Sequence, residues 1–339
     1  MNIERNRFVE LDSIRGIAAL AVIVYHYLYR YNELYLHEGF NFDWAYWGKY
    51  GVQLFFIISG FVIYMSLVRV NSPVDFIASR FTRLFPAYWV AILITTSFVF
   101  YFGLPGRELS IVSTLINFTM LQGFLNVGHV DGVYWTLAIE LIFYFWMFVL
   151  LVLNRINHIA YLMFALLFFS IFYKSGFIPE NKYLEKIFLI EYISYFSIGV
   201  MFFKLYQDGI RFFNMIVLFM SVFLIYISND IYVFCLSLIL MSTVYISIFY
   251  SIKIFRMRIF VFFGSISYSL YLLHQNVGYV IINIGYEIGF HPFISMAIAF
   301  VTSIVLSTIL TYYIEKPVMK LMRNFYRRHR DSLIMNSNL

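Results

Sequence analysis

Charge is scarce in this chain. Only 12% of its 339 residues are Asp, Glu, Lys or Arg, against about a quarter in a soluble domain. Beside 62% hydrophobic residues, that scarcity excludes a single solvated globule and makes the bilayer the expected solvent. Cysteine is nearly absent, and the one at Cys235 lies in an apolar run, which excludes a disulfide framework. No small-residue cleavage site follows the first apolar run, which begins after Glu10 and continues into "HYLYRYNELY". A removable signal peptide is therefore not expected, and the run reads as a retained helix. No repeat period or low-complexity tract is present. No metal site, tightly bound cofactor or nucleic-acid partner is expected.

Apolar residues are what the chain has in abundance. About 20 of them cross a bilayer as a helix. The sequence predicts an all-α integral membrane protein, a bundle of about ten transmembrane helices at roughly 13–30, 51–69, 84–103, 133–153, 159–173, 187–205, 212–228, 230–250, 261–283 and 293–315. They are expected to form one domain over 1–339 with a basic tail at 316–339. The mixed stretch 105–131 reads as a loop with an interfacial helix, with an eleventh span as the alternative. With ten spans, one side of the membrane collects all the Lys and Arg residues except Arg30, Lys49, Arg107, Lys174, Lys182 and Lys186, a bias of 18 to 6. The 18 include Arg5, Arg7, Arg327 and Arg330. Both termini are therefore expected in the cytoplasm, and the terminal "KLMRNFYRRHR" suits anionic lipid headgroups.

Ionisable residues interrupt this apolar background. Arg15 and His26 stand eleven residues apart in the first helix. That spacing is about 16 Å of rise and about 20° from a whole number of turns, so both side chains share one face. Such groups in a bilayer usually face a partner or a cavity. A hydrogen-bonded core histidine is the plain reading of His26, and Asp12 reads as an N-cap or a partner of Arg15. Gly51, Ser59 and Gly60 are small residues that permit close helix approach. Arg80 and Arg83, three apart, are neighbours on one helical face and suit a phosphate, or else are ordinary cytoplasmic loop charge. Glu140 enters the bilayer with Tyr144 one turn on, and must be protonated or partnered. Ser267, Tyr271 and His274, at i, i+4 and i+7, make one polar stripe on the ninth helix. Glu315 precedes Pro317, which halts or kinks the tenth.

Five segments, "LDSIRG" leading to His26, "GVQLFFIISGF", "SRFTRLFPAYW", "YWTLAIE" and "ISYSLYLLH", together resemble the acyltransferase-3 family of membrane O-acyltransferases, of the polysaccharide or O-antigen O-acetyltransferase type without an appended hydrolase-like domain. They occur in the family's order and extend over nearly the whole chain. The resemblance implies a multi-pass protein of the bacterial cytoplasmic (inner) membrane. It moves an acyl group, usually acetyl, from cytoplasmic acyl-CoA to a hydroxyl of a cell-surface glycan or its lipid-linked precursor. On this reading Arg15, Arg80 and Arg83 hold the phosphate-rich head of the donor, acetyl-CoA. His26 acts as general base or as acyl carrier, with Glu140 and Asp12 as its catalytic companions. Tyr134, Trp135, Ser267, Tyr271 and His274 line the pocket or meet the acceptor. Expected partners are acyl-CoA, the glycan acceptor and membrane lipid. A glycan-intermediate transporter or flippase fits the same polar pattern, and an O-succinyltransferase of the same fold differs only in its acyl pocket.

Overall fold

The computed structural model describes residues 8–337 apart from Glu38, Asn71 and Ser251, and among these it contains helices and connecting turns with no strand. Arg5 and Arg7 of the expected charge bias lie outside the described residues, as do the side chains of Arg327 and of residues 329–337 in the tail. The α-helices are α1 Val9–Val24, α2 Tyr31–Tyr35, α3 Gly51–Leu67, α4 Pro73–Phe102, α5 Ile111–Asn117, α6 Trp135–Val152, α7 Ile159–Lys174, α8 Lys182–Ile187, α9 Ile193–Asp208, α10 Phe212–Ser228, α11 Ile231–Phe249, α12 Arg258–Glu287, α13 Pro292–Ile309 and α14 Lys316–Ser337. Two π-helical segments, Tyr25–Arg30 and Leu310–Glu315, join α1 to α2 and α13 to α14.

Seven helical segments among the described residues are long and apolar enough to cross a membrane: Val9–Tyr35, Asp43–Leu67, Pro73–Phe102, Gly132–Val152, Ile156–Lys174, Ile231–Phe249 and Pro292–Tyr326. The expectation of about ten also counted 187–205, 212–228 and 261–283. There α9 and α10 have only 16 and 17 residues. Helix α12 is 30 residues long, but its serines, His274, Gln275 and Asn276 dilute its hydropathy. In the stretch 105–131 the one helix, α5, has 7 residues, about 10 Å of rise, too short to span alone.

The chain forms two compact units. The first comprises Met1–Val22, Trp47–Val70 and Thr136–Ser265. Its centre is α9, buried at every residue from Ile193 to Phe203. Helix α3 packs on it without side chains between the backbones. A Cβ at Gly60 would lie 2.1 Å from the Phe196 carbonyl oxygen, and one at Gly199 would lie 1.9 Å from that of Ile57. Gly51 meets the Ala18 carbonyl in the same way, at 2.6 Å. The small residues at 51 and 60 thus do the packing expected of them. Serine pairs link α9 outward: Ser221 Oγ donates to Ser197 Oγ at 2.9 Å, and the Tyr195 and Ser237 hydroxyls pair at 3.0 Å.

The second unit comprises Ile23–Tyr46, Asn71–Trp135 and Ile266–Leu339. Helix α4 starts at a designed boundary: Ser72 accepts from the Asp75 N–H at 3.1 Å and Pro73 occupies the first turn. Arg80 and Arg83 therefore sit inside α4. Helix α12 is the core of this unit, buried without interruption from Ser269 to Val280. At Gly278 a Cβ would fall 2.2 Å from the Tyr27 hydroxyl, so only glycine admits that ring.

The α3–α9 crossing gives a direct test. Gly199→Val should destabilise by more than the roughly 1–3 kcal/mol of ordinary overpacking, because the clash is with backbone. Ser59→Ala should cost under about 1 kcal/mol. Thermal unfolding of detergent-solubilised protein measures both, and equal melting temperatures would show that the crossing tolerates a side chain.

Candidate active site

The histidine network and the turns that hold it lie within the second unit. His26 is the second residue of the π-helical Tyr25–Arg30 segment. There the Tyr31 N–H donates to the His26 carbonyl, five residues back, instead of to Tyr27. The Tyr27 carbonyl is taken up by His37, whose Nε2 lies 2.7 Å from it. The His37 Nδ1 is hydrogen-bonded to the Tyr286 hydroxyl. Outside the spans, burial lowers the pKa of His37, against the smaller opposite effect of its bond to the Tyr27 carbonyl. A buried loop histidine thus holds the widened turn that carries His26.

His26 and His274 form a pair. The Nδ1 of His26 lies 2.9 Å from Nε2 of His274, with ring centroids 4.9 Å apart. His274 is fully buried. Its Nδ1 lies 2.9 Å from the Tyr271 carbonyl oxygen and 3.1 Å from that of Leu270. Carbonyl oxygens only accept, so Nδ1 of His274 carries the proton. In the uncharged pair, Nε2 of His274 is then the acceptor and Nδ1 of His26 the donor. The basic lone pair of the couple falls on Nε2 of His26. The His274 carbonyl meanwhile accepts from the Tyr27 hydroxyl at 2.7 Å, and that hydroxyl also pairs with Ser303 Oγ at 2.7 Å.

A turn at residues 130–134 grips α12 beside this pair. Asp131 is completely buried. Its carboxylate accepts from the Asn276 N–H at 2.9 Å and the Val133 N–H at 3.2 Å. The usual helical acceptor for the Asn276 N–H is the Leu272 carbonyl, which here accepts from the Tyr134 hydroxyl at 3.2 Å. Both ends of one helical hydrogen bond are thus engaged by the same turn. Asn276 Nδ2 donates to the Val130 carbonyl at 2.8 Å, and Tyr271 donates to that of Val133 at 3.3 Å. Burial raises the Asp131 carboxyl to about 6, against its two N–H donors and the positive charge of Arg107.

Further along the unit, Ser269 donates to Glu315 at 2.9 Å, and Thr311 donates to Ser269 at 2.9 Å. Glu315 closes the second π-helical segment. The Tyr268 hydroxyl bonds the Leu84 carbonyl at 2.8 Å, which ties α12 to the turn of α4 that follows Arg83. Arg80 lies over the Phe76 ring at 5.7 Å.

The structure thus brings His26, His274, Tyr134 and Tyr271 into one network. Ser267 is buried in α12, and Trp135 opens α6 half-buried. Asp12, Arg15 and Glu140 belong to the first unit. Asp12 lies in the first turn of α1, which begins at Val9, and is not its N-cap. Arg15 is half-buried. Glu140 accepts from the Tyr144 hydroxyl at 2.5 Å, the same-face partner its spacing suggested. His37, Asp131 and Asn276 were not singled out from sequence. Their signal is faint: Asp131 stands three residues before "YWTLAIE" and Asn276 two after "ISYSLYLLH", each just outside a recognisable segment. No group of three or more His, Cys, Asp or Glu side chains among the described residues is arranged to hold a metal ion.

The Asp131 grip has a pH signature. Its folded pKa of about 6 stands above the unfolded 3.8, so between those values the folded protein binds a proton that the unfolded chain does not. Stability from this group therefore rises as pH falls. The melting-temperature difference between wild type and Asp131→Asn should move in favour of wild type on going from pH 7 to about 4.5. A difference independent of pH would mean that the carboxyl titrates normally. Asp131→Ala, which removes the side-chain acceptor of the Asn276 and Val133 N–H groups, should cost about 1–3 kcal/mol.

Comparison with known proteins identifies relatives of the chain. The chain is 33% identical over 162 residues to nodulation protein 10 of Rhizobium leguminosarum, covering 41% of this chain and 42% of that one. It is 30% identical over 154 residues to the peptidoglycan O-acetyltransferase OatA of Listeria monocytogenes, covering 40% of this chain and 22% of that protein. The chain therefore spans less than half the length of these two relatives. To the O-acetyl transferase of Shigella phage Sf6 it is 29% identical over 332 residues, 90% of this chain and 94% of that one. No solved structure matches it significantly. The profile of the acyltransferase-3 family, described as an acyltransferase domain, matches residues 8–312. That match takes in every element of the histidine network except the final residues of the second π-helical segment, and the chain belongs to the acyltransferase-3 family.

Proposed function

We propose that this acyltransferase transfers acetyl from acetyl-CoA to a hydroxyl of a cell-surface glycan or its lipid-linked precursor, with His26 as general base. The observation that carries the reading is the fixed tautomer of the His26–His274 pair. A backbone carbonyl sets the proton on His274, His274 sets it on His26, and Nε2 of His26 is the nitrogen that takes the acceptor's proton. The sugar oxygen then attacks the thioester carbonyl, the C–S bond breaks, and the proton held by His26 goes to the leaving thiolate of coenzyme A. His274 acts through His26 and is a positioning residue.

Arg80 and Arg83 are the proposed anchors for the donor's phosphates. For Arg15, Asp12 and Glu140 the assignment rests on the sequence resemblance alone. The finer topology, ten spans with both termini cytoplasmic in a bacterial inner membrane, rests on the charge bias and places Arg80 and Arg83 on the donor side. Acetyl as the acyl group and a glycan as acceptor are supported by the named activities of the phage and Listeria relatives.

The test is purified protein with radiolabelled acetyl-CoA and lipid-linked glycans. His26→Ala should lower transfer by about 10²–10⁴-fold while the protein still accumulates in the membrane. His274→Phe should lower it less and distort the pH–rate profile, because His26 loses the acceptor that sets its tautomer. Near wild-type turnover in His26→Ala would remove the histidine from the chemistry. Arg80→Ala and Arg83→Ala should each raise the Michaelis constant for acetyl-CoA about ten- to a hundredfold, the scale of one charge-assisted contact. Unchanged constants would return both to the role of topology charges.

A further inference from the structure

We propose that a cavity at the far end of α4 from Arg80 and Arg83 binds a neutral sugar of the acceptor glycan. The inference rests on the reading above and adds to it a location and a ligand chemistry. The cavity lies wholly within the second unit and has a volume of about 300 Å³, the low end of the range for small-molecule sites. That size suits one or two sugar residues, not a long chain. Its walls include Thr96 and Phe100 from α4, Arg107 and Glu108 from the following loop, Thr114 from α5, and Val130.

The wall is built, not casual. Asn117 is fully buried. Its side chain donates to the Ser113 carbonyl at 2.8 Å and the Gly128 carbonyl at 2.9 Å, and accepts from the Val130 N–H at 3.0 Å. One residue thus fixes α5, which carries Thr114, against the strand of loop that carries Val130. The Tyr88 hydroxyl in α4 bonds the Asn117 carbonyl at 2.8 Å and ties the loop to the helix.

The chemistry of the lining selects the ligand. Arg107 and Glu108 put both signs of charge on one wall, and the Glu108 carboxylate accepts from the Arg107 backbone N–H at 3.2 Å. An anionic headgroup would meet that carboxylate, so a phosphate is disfavoured. A polyhydroxyl ligand can donate to Glu108 and accept from Arg107 at once. Thr96 is half-buried and contributes a small side chain to the wall. Phe100, 79% exposed, offers an apolar face to the C–H side of a sugar ring.

Position adds the link to the reaction. From Arg83 to Phe100 is 17 residues of one helix, about 26 Å of rise. Donor anchors and cavity therefore stand at opposite ends of α4. Val130 lines the cavity, and its carbonyl is held by Asn276, while its neighbour Asp131 takes the Asn276 N–H. Asn276 is two residues from His274.

Saturation-transfer NMR on the full chain in detergent tests the assignment without requiring turnover. The probes are the methyl glycosides of glucose, rhamnose and N-acetylglucosamine, with inorganic phosphate as competitor. At least one glycoside should receive saturation from wild type and equally from His26→Ala, and phosphate should not displace it. Thr96→Leu, which fills the cavity, and Arg107→Gln, on the loop, should each weaken that binding about tenfold or more. Three results would overturn the proposal: no glycoside bound, binding undiminished in Arg107→Gln, or displacement by phosphate. Sugar binding by wild-type protein that fails to transfer acetyl would sink the enzymatic reading and leave the site. Acetyl transfer with undiminished sugar binding in Arg107→Gln would sink the site and leave the enzyme.

Discussion

The histidine pair of the second unit depends on one hydrogen bond, from Nδ1 of His274 to the backbone carbonyls one turn earlier in its own helix. An imidazole that must act as a base needs its second nitrogen held, and the usual holder is a carboxylate. In an apolar surround an ionised carboxylate is costly unless it is itself paired. A helix carbonyl performs the orientation with no charge at all. It also fixes the tautomer of His274 absolutely, because a carbonyl cannot donate. The second histidine then passes that polarity to His26 across 2.9 Å. In the proposed reaction, two neutral rings and a peptide group take the place of a charged relay.

Polar side chains brace that arrangement at three places. The π-helical turn at His26 releases the Tyr27 carbonyl, and His37 meets it. The turn at 131–134 supplies a carboxylate to one mid-helix N–H of α12 and a hydroxyl to the carbonyl that N–H would normally use. Glu315 ends the second π segment and accepts from Ser269 on α12. Without water, an unmet backbone group costs several kcal/mol. In this unit such polar partners cluster along α12.

Residues that contrast with their surroundings were legible in the sequence. His26, His274, Glu140 and the Arg80–Arg83 pair stand out because apolar neighbours frame them. The small residues Gly51 and Gly60 were legible for the same reason, and the structure gives them the close approach that their size permits. His37 and Asp131 were not, because they lie in polar connecting stretches where one more polar residue carries no signal. The π-helical turns were invisible too: a single widened turn leaves no period to detect, and it alters the register on which the shared face of Arg15 and His26 was computed. Helix α12 misleads in a third way. Its polar stripe stands out in the sequence, yet that stripe lowers its hydropathy below that of an ordinary span.

The same stripe explains why α12 must be the buried core of its unit. A helix carrying Ser267, Ser269, His274, Gln275 and Asn276 could not face lipid without stranding them. Enclosure by protein gives each a neighbour, and it requires those neighbours to come close. Gly278 provides the closest approach, since any Cβ there would occupy the position of the Tyr27 hydroxyl. That hydroxyl bonds the His274 carbonyl, which brings the helix of His26 against the helix of His274. The absence of one methyl group at Gly278 is thus a condition for the histidine pair, four residues and one helical turn away from the ring it helps to place.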